Sequence, residues 1–327
     1  MKVERDAQGN APGWLVWAAL WIVYIVWGST YLAIRVTVET LPPLLAMGIR
    51  FLVAGLIVYG VLLARRGRDG VRVPLGQLVS CAIVGTFLFL GANGMVAIAE
   101  LELPSSLAAL IIASVPLWVI ILRAIAGDRV RLGTLVGVAV GFSGVAILVV
   151  PGNRPTGVPM WAIILIVFAS AAWAFGSVLS TRLTLPKDLF VSSAYQMIGG
   201  GIALVIGGLI RGEASGFNAS EWSGASLWGF FYLITIGSLV GFTAYAWLLQ
   251  NAPISKVSTY AYVNPVVAIL LGWAILGEEV TTTTLLGAAV IVVSVAFIVR
   301  KESKPRVQTE STAAMGMPER VTLAQEG

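Results

Sequence analysis

Ten apolar stretches of about twenty residues each, joined by short turns, leave this chain of 327 residues few folds to choose from. They run over about 14 to 34, 44 to 64, 75 to 97, 105 to 126, 133 to 150, 160 to 180, 189 to 210, 226 to 249, 254 to 276 and 284 to 300. A helix needs about 20 apolar residues to cross a bilayer, and within lipid its backbone polar groups must be satisfied internally. The turns carry Gly, Pro or charge, as in the segments 64–70 and 151–155, and none is long enough for a soluble domain. Only 11% of residues are charged and 58% are hydrophobic, against about 25% charged in a soluble chain. The pattern predicts an all-α, polytopic membrane protein with ten transmembrane helices, a short tail at 1–13, a linker at 151–159 and a polar, disordered tail at 301–327.

The ten spans divide into two copies of one unit, 14–150 and 160–300. Pro104 and Pro116 lie twelve apart, and Pro253 and Pro265 repeat that spacing 149 positions later. Each second proline is followed by a similar turn, Gly127-Asp128 in one copy and Gly277-Glu278 in the other. Trp27-Gly28-Ser29 is echoed by Phe175-Gly176-Ser177, and Leu135 and Gly137 by Leu285 and Gly287. Five spans per copy is an odd number, so the second repeat enters from the opposite side of the membrane. Proline disrupts helices, and Pro-interrupted helices at matching positions of inverted repeats point to a carrier's binding site. Pro116 and Pro265 therefore mark expected helix breaks.

Basic residues orient the bundle. With the N-terminus inside, the cytoplasmic segments collect Lys2, Arg5, Arg65, Arg66, Arg68, Arg72, Arg123, Arg129, Arg131, Arg182, Lys187, Lys256, Arg300, Lys301, Lys304, Arg306 and Arg320, or 17 of the 21 basic residues. Such asymmetry predicts both termini in the cytoplasm of a cell inner (plasma) membrane. It also accounts for the net charge of +5 without a nucleic-acid partner. The first span is longer than the apolar run of a usual signal peptide, and is read as retained.

Trp27-Gly28-Ser29-Thr30, Arg50-Phe51-Leu52-Val53-Ala54 and the segment from Gly241 through Ala244-Tyr245-Ala246, Pro253-Ile254-Ser255 and Asn264-Pro265 to Leu276-Gly277-Glu278-Glu279 resemble the EamA-type transporters of the drug/metabolite transporter superfamily. The resemblance covers about 14 to 300. It implies a secondary transporter moving a small metabolite outward by alternating access. The motifs do not specify the substrate. The first half departs from the family pattern at Ser114-Val115-Pro116 and Gly127-Asp128.

Chemistry is scarce in the spans. Histidine is absent, the single cysteine, Cys81, lies in an apolar stretch, and all four aspartates fall in loops or tails. Metal ligands and an intramembrane acid-base pair are lacking, and no phosphate loop occurs, so neither an enzyme nor a cofactor or metal site is expected. The polar groups at depth are mostly neutral and aromatic. Tyr260 and Asn264 share a helix face, and Pro265 removes the donor that the carbonyl of Ala261 would otherwise use. Asn93 lies between Gly91 and Gly94. Trp27 with Tyr31, Trp173 with Ser177, and Tyr245 complete a candidate substrate cavity for a neutral or zwitterionic metabolite such as an amino acid. Packing or membrane-belt roles compete with each of these assignments, and the belt is favoured for Trp14, Trp17, Trp161 and Trp222.

Arg50, within the second span, is read mainly as structural, bonding carbonyls or pairing with Glu39 or Glu100. Glu100, Glu102, Glu278 and Glu279 fall on the outer side, none deep enough to be read as a proton carrier. Gly133, Gly137 and Gly141 form a smooth helix face for packing within the bundle, or, as the alternative, for a homodimer. A channel, a lipid scramblase or flippase, and a non-transporting assembly subunit stay open beside the carrier. Substrate identity, direction and coupling ion are not legible.

Overall fold

The computed structural model describes residues 12–128, 130–149, 157–215 and 218–302. Most of the tail 1–13, of the linker 151–159 and of the tail 301–327 lies outside the described residues.

The apolar stretches are helices, and no strand occurs among the described residues. In chain order they are α1 (Gly13–Val38), α2 (Pro43–Arg66), α3 (Leu75–Ala99), α4 (Ser105–Ile125), α5 (Leu132–Val149), α6 (Met160–Ser180), α7 (Leu189–Ile210), α8 (Gly224–Asn251), α9 (Tyr260–Leu276) and α10 (Thr282–Glu302). Among the described residues nine are long and apolar enough to cross a membrane, and α9, with 17 residues, is preceded by a single turn over Ile254–Val257. The helix α10 continues past 300 through Lys301 and Glu302.

Side chains facing outward are large and apolar, including Ile164, Leu209, Trp228 and Val293, as contact with lipid tails requires. Trp14, Trp17 and Trp161 are exposed near helix ends, and Trp222 is half-buried against the core.

Corresponding helices of the two repeats pack on each other. Between α2 and α7 the contact is made through glycine. A methyl added to Gly48 would stand 2.9 Å from the Val205 nitrogen, and one on Gly201 2.9 Å from the Leu52 nitrogen. Between α5 and α10, Gly137 and Gly141 are closed over by Ile298, Phe297 and Ser294, and Gly287 lies against Leu148. Gly137 and Gly141 are thus buried within the bundle, and Gly133 is half-buried.

Loop carboxylates hold three helix starts, where unpaired N–H groups and the helix dipole favour an anion. Glu213 accepts from the nitrogens of Leu44 (3.3 Å) and Leu45 (2.9 Å) in α2. Asp188 accepts from Phe190 and Val191 at the start of α7 and pairs with Arg66 at 2.6 Å. Glu278 reaches α4. Its oxygens accept from Ser105 N (2.7 Å), Ser105 Oγ (2.8 Å) and Ser106 N (2.9 Å). Gly277 aims it there: its left-handed backbone (φ 65°) ends α9, and the Glu278 nitrogen donates back to the Gly272 carbonyl. In the first repeat Gly127 makes the matching turn (φ 88°), and its acid, Asp128, accepts from Arg123 Nε at 2.9 Å and pairs with Arg182 at 3.6 Å.

Candidate functional site

The two broken helices meet around a central cavity of about 920 Å³, its open part included. Pro116 and Pro265 both line it, and so do Ile112 and Ala261, the residues four positions before them. A proline has no N–H to give the carbonyl four residues back, so both repeats turn an under-bonded carbonyl position toward the same space.

The breaks are not where the prolines alone predict. In α4 the helix is interrupted at Ala113-Ser114, with Pro116 at the start of the second half. Ser114 Oγ bonds the Ile111 carbonyl (2.6 Å) and Ser170 Oγ of α6 (3.1 Å). In the second repeat Pro265 lies inside an uninterrupted α9, and the break falls earlier, at Ser258-Thr259. Pro265 as a break is therefore corrected. The helix tolerates it because neighbours hold its first turns: Tyr24 of α1 hydrogen-bonds Thr259, and the Asn264 amide nitrogen donates to the carbonyls of Tyr24 (3.3 Å) and Tyr260 (3.2 Å).

Six of the eight expected substrate residues line the cavity: Trp27, Tyr31, Asn93, Trp173, Tyr260 and Asn264. Tyr245 and Ser177 do not. Tyr245 stands behind the wall, 4.9 Å from the Trp27 ring and 5.8 Å from that of Tyr260, and so props both. Ser177 Oγ turns back to the Trp173 carbonyl at 2.8 Å, the usual local bond of a serine in an apolar helix. Trp27 also meets Tyr260 edge-on at 5.2 Å. Its indole needs Gly241, where a methyl would come within 2.7 Å of Nε1.

Sequence reasoning missed two π-helical segments, Thr86–Gly94 in α3 and Leu233–Val240 in α8, at corresponding places in the two repeats. A π-turn widens the helix and re-aims side chains, and it recurs at functional sites. Asn93 lies in the first, its amide donating to the Leu88 carbonyl five residues back (3.0 Å). Ser238 lies in the second and accepts from Arg50 Nε at 3.0 Å. The glycine clusters Gly91 and Gly94, and Gly237 and Gly241, were the visible trace of these segments.

Arg50 has other partners than those expected for it. It is 3% exposed and lines the cavity. Its guanidinium rests on Ser238, on Met47 Sδ (3.6 Å) and over the Phe51 ring (4.6 Å). Neither Glu39 nor Glu100 pairs with it, and no carboxylate forms an ion pair with it among the described residues. Arg35 takes the carbonyl-binding role instead, donating to Glu100 O and to Leu101 O at 3.1 Å.

No group of three or more His, Cys, Asp or Glu that could hold a metal occurs among the described residues.

The model of the EamA-like transporter family matches residues 14–150 and again 160–300. The chain belongs to this family. The uncharacterized inner membrane transporter YedA of Escherichia coli K12 is 39% identical over 287 residues, covering 86% of this chain and 90% of its own. A probable amino-acid metabolite efflux pump of the same organism is 26% identical over 285 residues, 83% of this chain and 90% of its own. One solved crystal structure, 17% identical, superposes with a TM-score of 0.59 over 88% of this chain and 98% of that one, and shares the fold. The two family matches coincide with the two five-helix repeats, and the cavity lies between them.

Proposed function

We propose that this EamA-family transporter exports a small carboxylate-bearing metabolite, an amino acid or close relative, by alternating access. The observation that carries this reading is Arg50. A guanidinium buried without an anion is held at a cost of several kcal/mol, and an intramembrane charge facing a cavity is a functional site by default. A substrate carboxylate arriving there gains a charge-assisted, bidentate partner. The aromatic wall of Trp27, Tyr260, Trp173 and Phe242 suits an apolar side chain, and Asn93, Asn264 and the under-bonded carbonyls of Ile112 and Ala261 suit an ammonium group.

Alternating access is supported by the two inverted repeats sharing one cavity and by the closure of one face of the bundle. Between the cavity and the face that carries Glu278 lie Glu100, Leu103 and Ser105, all buried, with the Glu278 carboxylate tying α9 to α4. The distribution of basic residues supports placing that face outside and the termini in the cytoplasm. The name of the 26%-identical efflux pump supports the amino-acid class and the outward direction.

The test reconstitutes the purified chain in liposomes with labelled amino acids and their decarboxylated analogues. Saturable counterflow is expected for a carboxylate-bearing compound and not for its amine. Loss of a charge-assisted hydrogen bond of about 1.5–3 kcal/mol predicts that Arg50→Ala weakens apparent affinity by roughly 10- to 150-fold. If no compound shows saturable flux under any gradient, the carrier reading is wrong; if amines exchange as well as acids, the role of Arg50 is wrong.

A further inference from the structure

Glu100 was too near a helix end to be read as a proton carrier from sequence, yet the structure buries it completely, at 0% exposure. Neither carboxylate oxygen has a hydrogen-bond partner among the described residues. It directly follows Ala99, the last residue of α3, one turn beyond Val96 of the cavity wall. Its titratable neighbours among the described residues come from two sides. From α1 come Tyr31, itself on the cavity wall, and Arg35, whose guanidinium is committed to the backbone carbonyls of Glu100 and Leu101. From the turn after α9 comes Glu278, bonded to the start of α4. Arg50 of α2 lies across the cavity. Neither α6 nor α4 offers an ionisable group at this depth, and Glu39 and Glu102 point to the exposed surface.

The chemistry follows from the two carboxyls. Glu278 accepts three N–H or O–H bonds at a helix N-terminus, an arrangement that suits the anion. A second anion buried beside it, with no hydrogen bonds of its own, is the arrangement that two neighbouring carboxyls avoid by keeping one proton. Glu100 therefore carries that proton while the Glu278 latch is closed. A metal cation would need several oxygen ligands, and Glu100 gathers none. Consistent with this, burial first and the Glu278 carboxylate second hold the Glu100 carboxyl well above the usual carboxylate range, while Arg35 pulls it down.

We propose that Glu100 is a proton-binding site whose charge state sets the Glu278 latch, so that opening this face releases a proton to the water on that side and closing it takes one up. When the proton leaves to water, the new Glu100 anion repels Glu278 from Ser105 and Ser106. Reprotonation lets the latch re-form. Proton binding at the latch does not rest on the carrier reading, and the test needs no substrate.

On a Cys81→Ala background, spin labels at Glu102→Cys and Glu279→Cys, both exposed and on either side of the latch, report its opening in lipid nanodiscs. The closed state binds the extra proton. The ratio of long to short label distances should therefore rise with pH, by about tenfold per unit between the open-state and closed-state pKa values of one carboxyl. Glu100→Gln should keep the short distance at all pH values and remove one protonated-carboxyl C=O band from the pH-difference infrared spectrum. Glu278→Gln should lose most of the pH response while folding normally. A pH response that survives in Glu100→Gln, or no carboxyl band lost, overturns the proposal. So does a distance change driven by sodium at constant pH, which would make the site one for a metal cation. A failed substrate screen would leave these outcomes unaffected.

Discussion

Replacing Glu278 by alanine tests the idea that one carboxylate closes one face of the bundle. The side chain accepts three bonds, from Ser105 N, Ser105 Oγ and Ser106 N, at 2.7, 2.8 and 2.9 Å. Each is worth about 1 kcal/mol net, because freed donors bond water once the face opens. Losing all three removes about 3 kcal/mol from the closed state alone, and the open-to-closed ratio should rise by roughly 150-fold. The spin-label pair on Glu102 and Glu279 measures it as growth of the long-distance population at constant pH. The same latch can be disturbed without touching the carboxylate. Gly272 lies beneath it, and a methyl there would stand 2.5 Å from Glu278 Oε2 and 3.3 Å from Ser105 Oγ. Gly272→Ala should therefore shift the distances in the same direction. A distance distribution unchanged in both variants would show that the bonds persist in every conformer, and that the face is closed by something else.

Three further outcomes follow from the packing and the site. Gly85→Ala places a methyl 2.2 Å from the Gln196 carbonyl and 3.0 Å from the Gly200 nitrogen, so α3 and α7 must separate; thermal unfolding in detergent should register a loss of about 1–3 kcal/mol, and an unchanged midpoint would contradict the close approach. Tyr245→Phe keeps the ring that props Trp27 and Tyr260 and should leave counterflow affinity within about twofold, whereas Tyr245→Ala should lower it by about fivefold through loss of an aromatic neighbour worth about 1 kcal/mol beyond its burial; equal affinities for the two variants would show that the prop is not needed. Pro265→Ala restores the donor missing from α9 and should retain or raise stability while reducing flux of the transported substrate; full flux at raised stability would remove the Ala261 carbonyl from the site.

Much of this protein was legible before any coordinates. Apolar length is a local property, and lipid leaves the backbone no alternative to the helix, so ten spans follow from residue order with ends displaced by only a few positions. The repeat is a property of spacing, and the cavity formed where the paired prolines pointed. Trp27, Tyr31, Asn93, Trp173, Tyr260 and Asn264 all face it because helical periodicity and depth in the span are readable along one chain. The errors have one source. Tyr245 and Ser177 were at the right depth but do not line the cavity, and Pro265 was the right residue without the break.

Those points depend on what stands opposite, and that is decided only between helices. Sequence determined that the chain must span a membrane about ten times, in two copies of one unit, because hydrophobic length and duplication need no partner to be recognised. Tertiary structure decided the charges. Among the described residues, Arg50 faces a cavity with no carboxylate paired to it, Glu278 crosses from one repeat to hold the other, and Glu100, at the end of a span that carries no charge of its own, is sealed with no hydrogen bond to its carboxylate. A buried charge takes its meaning from the groups within a few ångströms of it, and 173 positions separate Glu278 from the serine it holds.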